Sequence, residues 1–161
     1  MNFLDLAKKR YSSRKYKAIP VEAEKLSKIL EAGRVAPTGA NTQPQRIIVV
    51  KEAAGLEKLK KGANIYGAPI GLIVCGNHKA SWKRPIDGKD ILEIDSAIVT
   101  THMVMEATDL ELDTIWVCYF NNEIIKVIHV LSRFLISLVK KLYAFFIVYI
   151  IFHNYFSFYF Y

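Results

Sequence analysis

At 161 residues, 52% of them hydrophobic and 23% charged, the chain has the length and apolar content for one domain with a real core. Its 22 Lys and Arg outnumber 15 Asp and Glu for a formal net charge of +7, of which +4 falls in residues 1–122 and +3 in the remainder. Two cysteines, Cys75 and Cys118, lie in apolar strand-like runs. They read as small buried thiols in a reducing cytosol and do not indicate a disulfide framework.

Met1 to Ala7 carries Asp5 and lacks an apolar run, so it does not read as a signal peptide. Phe3 to Arg10 predicts a short helix. Pro20 precedes an amphipathic helix over Val21 to Val35, with Val21, Leu26, Ile29 and Leu30 near one face and Glu22, Glu24, Lys25 and Lys28 on the other. After the loop Pro37 to Pro44, a strand is expected over Arg46–Lys51. A charged helix follows over Leu56 to Lys61, and Gly62 and Gly67 punctuate the link to a second strand, Ile70–Cys75. That strand is apolar throughout, as expected of one buried on both faces. Residues 76–90 read as a surface loop, Ile91 to Thr108 as a long helix, and Thr114–Phe120 as a third strand. Alternating helices and apolar strands argue for a mixed α/β or α+β domain.

The composition changes after residue 122. The first 122 residues hold eight aromatics and the remaining 39 hold twelve, with no Gly or Pro among them. From Leu142 to Phe152 the run is wholly apolar. It is shorter than the roughly 20 residues a membrane helix needs. A membrane-associating segment over residues 131–161, with Lys140 and Lys141 at the interface, is one reading. The other is a frameshift near codon 121, because Tyr, Phe, Ile, Asn and Lys are what AT-rich codons encode. Under either reading an exposed aromatic tail is an aggregation hazard.

Three constellations could carry chemistry. Lys8 to Lys17 sets six bases around Tyr11, Tyr16, Ser12 and Ser13. Arginine forks beside a hydroxyl suit a phosphate. A solvated basic surface is the bland alternative. A nucleic-acid site is a poor one, since the basic run is short and no nucleic-acid motif accompanies it. The loop Pro37-Thr38-Gly39-Ala40-Asn41-Thr42-Gln43-Pro44 packs amides and hydroxyls around two prolines, more than a plain turn needs. The third, Leu112 to Phe120, could present backbone amides at a strand end. The four histidines show no metal-ligand spacing. His102 reads as packed or interfacial, Met103 and Met105 as core filling, and Asp95 as a local cap or pairing residue without a catalytic role.

Taken together, Arg10-Tyr11-Ser12-Ser13-Arg14, the Pro37–Pro44 loop, Ile94-Asp95-Ser96-Ala97-Ile98 and Glu111-Leu112-Asp113-Thr114-Ile115-Trp116 resemble the FMN-dependent nitroreductase family in order and spacing. Trp82 to Lys89 resembles a loop from one branch of it. The resemblance covers residues 2–121. It implies an α+β, three-layer fold with a central mixed sheet flanked by helices, C-terminally incomplete. Residues 1–121 would be a partial FMN-binding domain and residues 122–161 a tail of uncertain status. Arg10, Tyr11, Ser12 and Arg14 would hold the FMN phosphate and ribityl chain. Pro37, Thr38, Asn41 and Gln43 would line the flavin, and the backbone around Cys118 and Tyr119 would approach its edge. The resemblance further implies a cytoplasmic homodimer with FMN at its interface, NAD(P)H as electron donor and a nitroaromatic or quinone as small-molecule oxidant. The protein would supply binding and orientation, with no catalytic side chain, metal or nucleic acid. A truncated, non-enzymatic, membrane-associated remnant is the alternative.

Two departures from the family pattern stand out. Glu111 takes a position where Gly is usual. Gly at a helix C-terminus commonly adopts a left-handed conformation, so Glu there is expected to be strained by about 1 kcal/mol. Nothing after Asn122 matches the family's C-terminal part.

Overall fold

The computed structural model of the protein describes residues 2–125 and the backbone of Val148–Ile150. The chain forms α1 (Phe3–Lys9), α2 (Ala23–Val35), a 3-10 turn (Gly39–Asn41), β1 (Gln45–Val50), α3 (Ala53–Gly62), β2 (Gly71–Gly76), α4 (Leu92–Asp109) and β3 (Val148–Ile150). Each predicted helix is present, within a few residues of its expected bounds.

The sheet has the order β1-β2-β3, and β2 pairs antiparallel with both neighbours. The apolar run of β2 is buried throughout. Its side chains alternate between two cores. Ile73 and Cys75 join Leu59 of α3 with Ile115, Val117 and Ile125. Leu72 and Val74 join Ile29 of α2 with Val99, Met103 and Ala107 of α4. Helix–sheet–helix layering therefore follows from one doubly buried strand.

Helices α2 and α4 pack closely because Gly33 has no side chain. A Cβ there would lie 2.9 Å from both Cγ and Sδ of Met103. Helix α4 carries Thr100 and Thr108 into this core, and their hydroxyls donate to the carbonyls of Ser96 (2.7 Å) and Val104 (2.9 Å). Their burial therefore leaves no donor unsatisfied.

The expected third strand, Thr114–Phe120, is not a regular strand. Thr114 makes a single parallel bridge to Ser12 and Phe120 a single antiparallel bridge to Ala63. The backbone is shared between separate segments: Ser13 N–H donates to Thr114 O (2.9 Å), and Asn121 N–H donates to Gly62 O (2.7 Å). Strand-like composition reflected the burial of Ile115 and Val117. The core also runs past residue 121, since residues 122–125 are helical and Ile125 is 1% exposed. Apart from the backbone of Val148–Ile150, the aromatic tail and its membrane or frameshift readings lie outside the described residues.

Candidate cofactor site

Arg10 to Arg14 leaves α1 in extended conformation and is fastened to the segment that follows α4. Tyr11 Oη donates to Asp113 Oδ2 (2.7 Å), and Ser13 N–H to Thr114 O (2.9 Å). Tyr16 Oη donates to Ser13 O (2.8 Å) and closes the segment from the other side. Burial pushes the Tyr16 phenol well above its usual range, so it stays a donor. Alternation then decides which serine faces out. Ser13 is 4% exposed and turned inward, leaving Arg10, Ser12 and Arg14 exposed. The side chains of Arg10 and Ser12 engage no other described residue, and Arg14 makes only a long bond to Ser12 O (3.4 Å). Two cations and a hydroxyl are thus presented together with free donors.

The Pro37–Pro44 loop is built from strained backbone. Ala40, Asn41 and Gln43 have φ values of 47°, 53° and 45°. This left-handed region costs a non-glycine residue about 1–2 kcal/mol. Internal bonds hold the shape: Asn41 N–H to Thr38 O (2.9 Å), Thr42 N–H to Gly39 O (3.1 Å) and Gln43 N–H to Thr38 Oγ1 (3.0 Å). Pro37, Asn41 and Gln43 are exposed and Thr38 half-buried. The Asn41 amide engages no described residue, whereas Gln43 Nε2 donates to Arg34 O (3.3 Å). The loop is tied to the body by Asn77 N–H to Pro44 O (3.0 Å) and by Gly39 N–H to Asp95 Oδ1 (3.0 Å).

Cys118 and Tyr119 are both exposed, Tyr119 at 95%, just before the bridge from Phe120 to Ala63 at the end of α3. Exposure of Cys118 corrects the expectation of two buried thiols. The irregular backbone after Val117 turns its side chain outward. Cys75 is buried as expected, and burial pushes its thiol up to about 12.

The structure brings Arg10–Arg14 together with the Asp113–Thr114 segment. It does not bring the Pro37–Pro44 loop to them within one chain. The loop is anchored at the first turn of α4, and Arg10–Arg14 beyond its last. Asp95 and Asp109 are about 21 Å apart along the helix axis at 1.5 Å per residue. An open groove of about 950 Å³ lies between α1, α2 and α4, lined by Phe3, Ala32, Val35, His102 and Met105 among others. Phe3 and Val35 are 75% and 58% exposed there.

The sequence reading gave Asp95 a local role only, yet its bond spans 56 residues. It also missed the contact between His78 Nδ1 and Asp90 Oδ2 (2.6 Å) beside the loop. The clue for Asp95 was a lone carboxylate inside an apolar helix face. No local pattern signalled the histidine pair, since its members are twelve residues apart in an irregular hairpin.

The sequence model of the Nitroreductase family matches residues 7–63. The chain is 48% identical to a nitroreductase family protein of Clostridium difficile 630, with a TM-score of 0.85, covering 96% of this chain and 84% of that one. It is 32% identical over 120 residues to a curated relative from Methanothermobacter thermautotrophicus named for NADH dehydrogenase and NAD(P)H nitroreductase activity. That match covers 72% of this chain, which spans 60% of the relative's length. A structure from Exiguobacterium sibiricum 255-15, described as a nitroreductase in complex with FMN, shares the fold with a TM-score of 0.78 at 19% identity. It is covered over 88% of its length by 96% of this chain.

Proposed function

The chain belongs to the nitroreductase family, and we propose that it is an FMN-dependent oxidoreductase passing electrons from NAD(P)H to a small oxidant such as a nitroaromatic or quinone. The observation that carries this reading is the exposed Arg10–Ser12–Arg14 segment, whose cationic and hydroxyl donors are largely unengaged by the described residues. Forked guanidinium donors beside a hydroxyl suit the terminal phosphate of FMN. The free Asn41 amide and the exposed left-handed backbone beside it suit the heteroatom-rich edge of a flavin. When bound, FMN supplies two-electron hydride chemistry. Arg10 and Arg14 fix the anionic end, and Thr38, Asn41 and Gln43 orient the ring. Cys118 and Tyr119 offer backbone at its edge.

We further infer that the working unit is a homodimer. The phosphate-binding and ring-binding segments lie at opposite ends of α4, so each site takes one half from each chain. The apolar groove between α1, α2 and α4, with exposed Phe3 and Val35, is the surface a second copy would cover. Among the described residues, no helix is long and apolar enough to cross a membrane.

The test is a visible spectrum of the purified chain after incubation with FMN and gel filtration. Retained flavin absorbance, bleached by NADH or NADPH and restored by a quinone, is the expected result. A colourless protein that takes up no FMN would refute the proposal.

A further inference from the structure

We propose that Asp95 is a positioning residue for the cofactor loop, holding Gly39 to Gln43 in place through its bond to the Gly39 N–H; as an account of flavin binding this rests on the reading above. Asp95 is 2% exposed and sits in the first turn of α4. Its Oδ1 accepts from Gly39 N–H at 3.0 Å, while Oδ2, also buried, has no hydrogen-bond partner among the described residues. A buried carboxylate with one protein donor is a poor stabilising element, and an apolar side chain would fill that space at lower cost. The positive end of α4 offsets part of the cost of the charge. What the carboxylate provides in return is a fixed point for a distant loop.

Three further features show why that point matters. Ala40, Asn41 and Gln43 are all left-handed non-glycine residues, so the loop relaxes to other conformations unless it is held. Its internal bonds fix the turn's shape but not its place on the domain. The other ties to the body, Asn77 N–H to Pro44 O (3.0 Å) and Gln43 Nε2 to Arg34 O (3.3 Å), hold its far end and not Gly39. Gly39 is also the residue that permits the approach. A Cβ there would lie 2.4 Å from Ile91 Cδ1, the movable end of a side chain, and 3.1 Å from Trp82 Cβ, so any larger residue crowds the approach of this N–H to Asp95. Asp95, Gly39, Ile91 and Trp82 thus form one seat. Asn41, two residues beyond it, is aimed by that seat.

Amide hydrogen exchange on the flavin-free protein tests this without any bound cofactor. In Asp95→Ala, exchange at Gly39 to Gln43 should rise about 10- to 100-fold, as expected for losing a hydrogen bond to a charged acceptor. Exchange in β2 and the middle of α4 should stay unchanged. Asp95→Asn keeps an acceptor and should retain intermediate protection. Gly39→Ala leaves the carboxylate in place but crowds the approach against Trp82 and Ile91, and should loosen the same residues. FMN titration, read by flavin fluorescence, should show a weakening of similar size in Asp95→Ala and Gly39→Ala. Unchanged loop exchange in folded Asp95→Ala and Gly39→Ala would overturn the proposal, as would loosened loops with unchanged FMN affinity. If the wild-type chain takes up no FMN, the flavin reading fails, and loop exchange alone still decides whether Asp95 holds the loop.

Discussion

Replacing Glu111 with Gly should stabilise the protein, although it removes an ion pair. Helix α4 ends in a two-bond C-terminal motif in which Glu111 N–H donates to Thr108 O (3.1 Å) and Leu112 N–H to Ala107 O (2.8 Å). This closure requires a left-handed residue at position 111, and Glu111 has φ of 63°. The family-pattern departure therefore keeps the glycine geometry without the glycine. Left-handed backbone costs a non-glycine residue about 1–2 kcal/mol. Glycine gives back about 0.4–1 kcal/mol through its freer unfolded chain. The Lys9–Glu111 pair is 3.9 Å apart with side chains 40% and 81% exposed, so its loss is a minor correction. The net is a gain of about 0.5–1 kcal/mol, or about 1–4 °C in Tm for a chain of this size. Urea unfolding measures it as a raised midpoint at unchanged slope. Glu111→Ala is the control, since it deletes the ion pair and keeps the strain. If Glu111→Gly is no more stable than Glu111→Ala, the strain argument is wrong.

The two thiols should react differently. Cys75 is buried, with its thiol pushed up to about 12, and Cys118 is exposed. A thiol reagent at pH 8 should modify Cys118 in the native protein and reach Cys75 only after unfolding. Rapid native modification of both would contradict the packing around β2. Asp90 should make a pH-dependent contribution. Burial works against its carboxylate, but hydrogen bonds from Leu92 N–H, His78 and Ser81 outweigh it and hold the pKa below the usual range. The folded pKa being depressed, this stability is complete above the unfolded value near 3.9 and is lost as pH falls through the folded one. Asp90→Asn should therefore cost about 1 kcal/mol at pH 7, with the gap to wild type closing below about pH 4. A gap that persists at pH 2 would exclude the carboxylate as its source.

The helices were legible because each has a strong periodic face or clear punctuation. Pro20 precedes α2, and Gly62 closes α3. Strand β2 was legible because an unbroken apolar run of that length suits a strand buried on both faces. Thr114–Phe120 misled because β-branched and aromatic residues report burial as readily as they report a ladder. The candidate site was legible as segments and not as a geometry. Local sequence identified Arg10–Arg14 and Pro37–Pro44 as ligand-type stretches. That α4 holds them at opposite ends depends on its length and on bonds over 56 and about 100 residues, which no local pattern carries. The inward turn of Ser13 goes with the long-range bonds Tyr11–Asp113 and Ser13–Thr114, and the outward turn of Cys118 with the irregular backbone after Val117.

Mixing two defective chains tests the shared flavin site most directly. One chain carries Arg10→Ala with Arg14→Ala, and the other Asn41→Ala with Gln43→Ala. Each alone should bind little FMN. In a heterodimer, one site collects both defects and the other is wild type throughout. An equal mixture allowed to exchange subunits should therefore regain about a quarter of the wild-type FMN capacity, since about half its dimers are mixed. If both variants are folded and exchange subunits but the mixture regains no FMN binding, the site is not shared between chains in the way the two ends of α4 require.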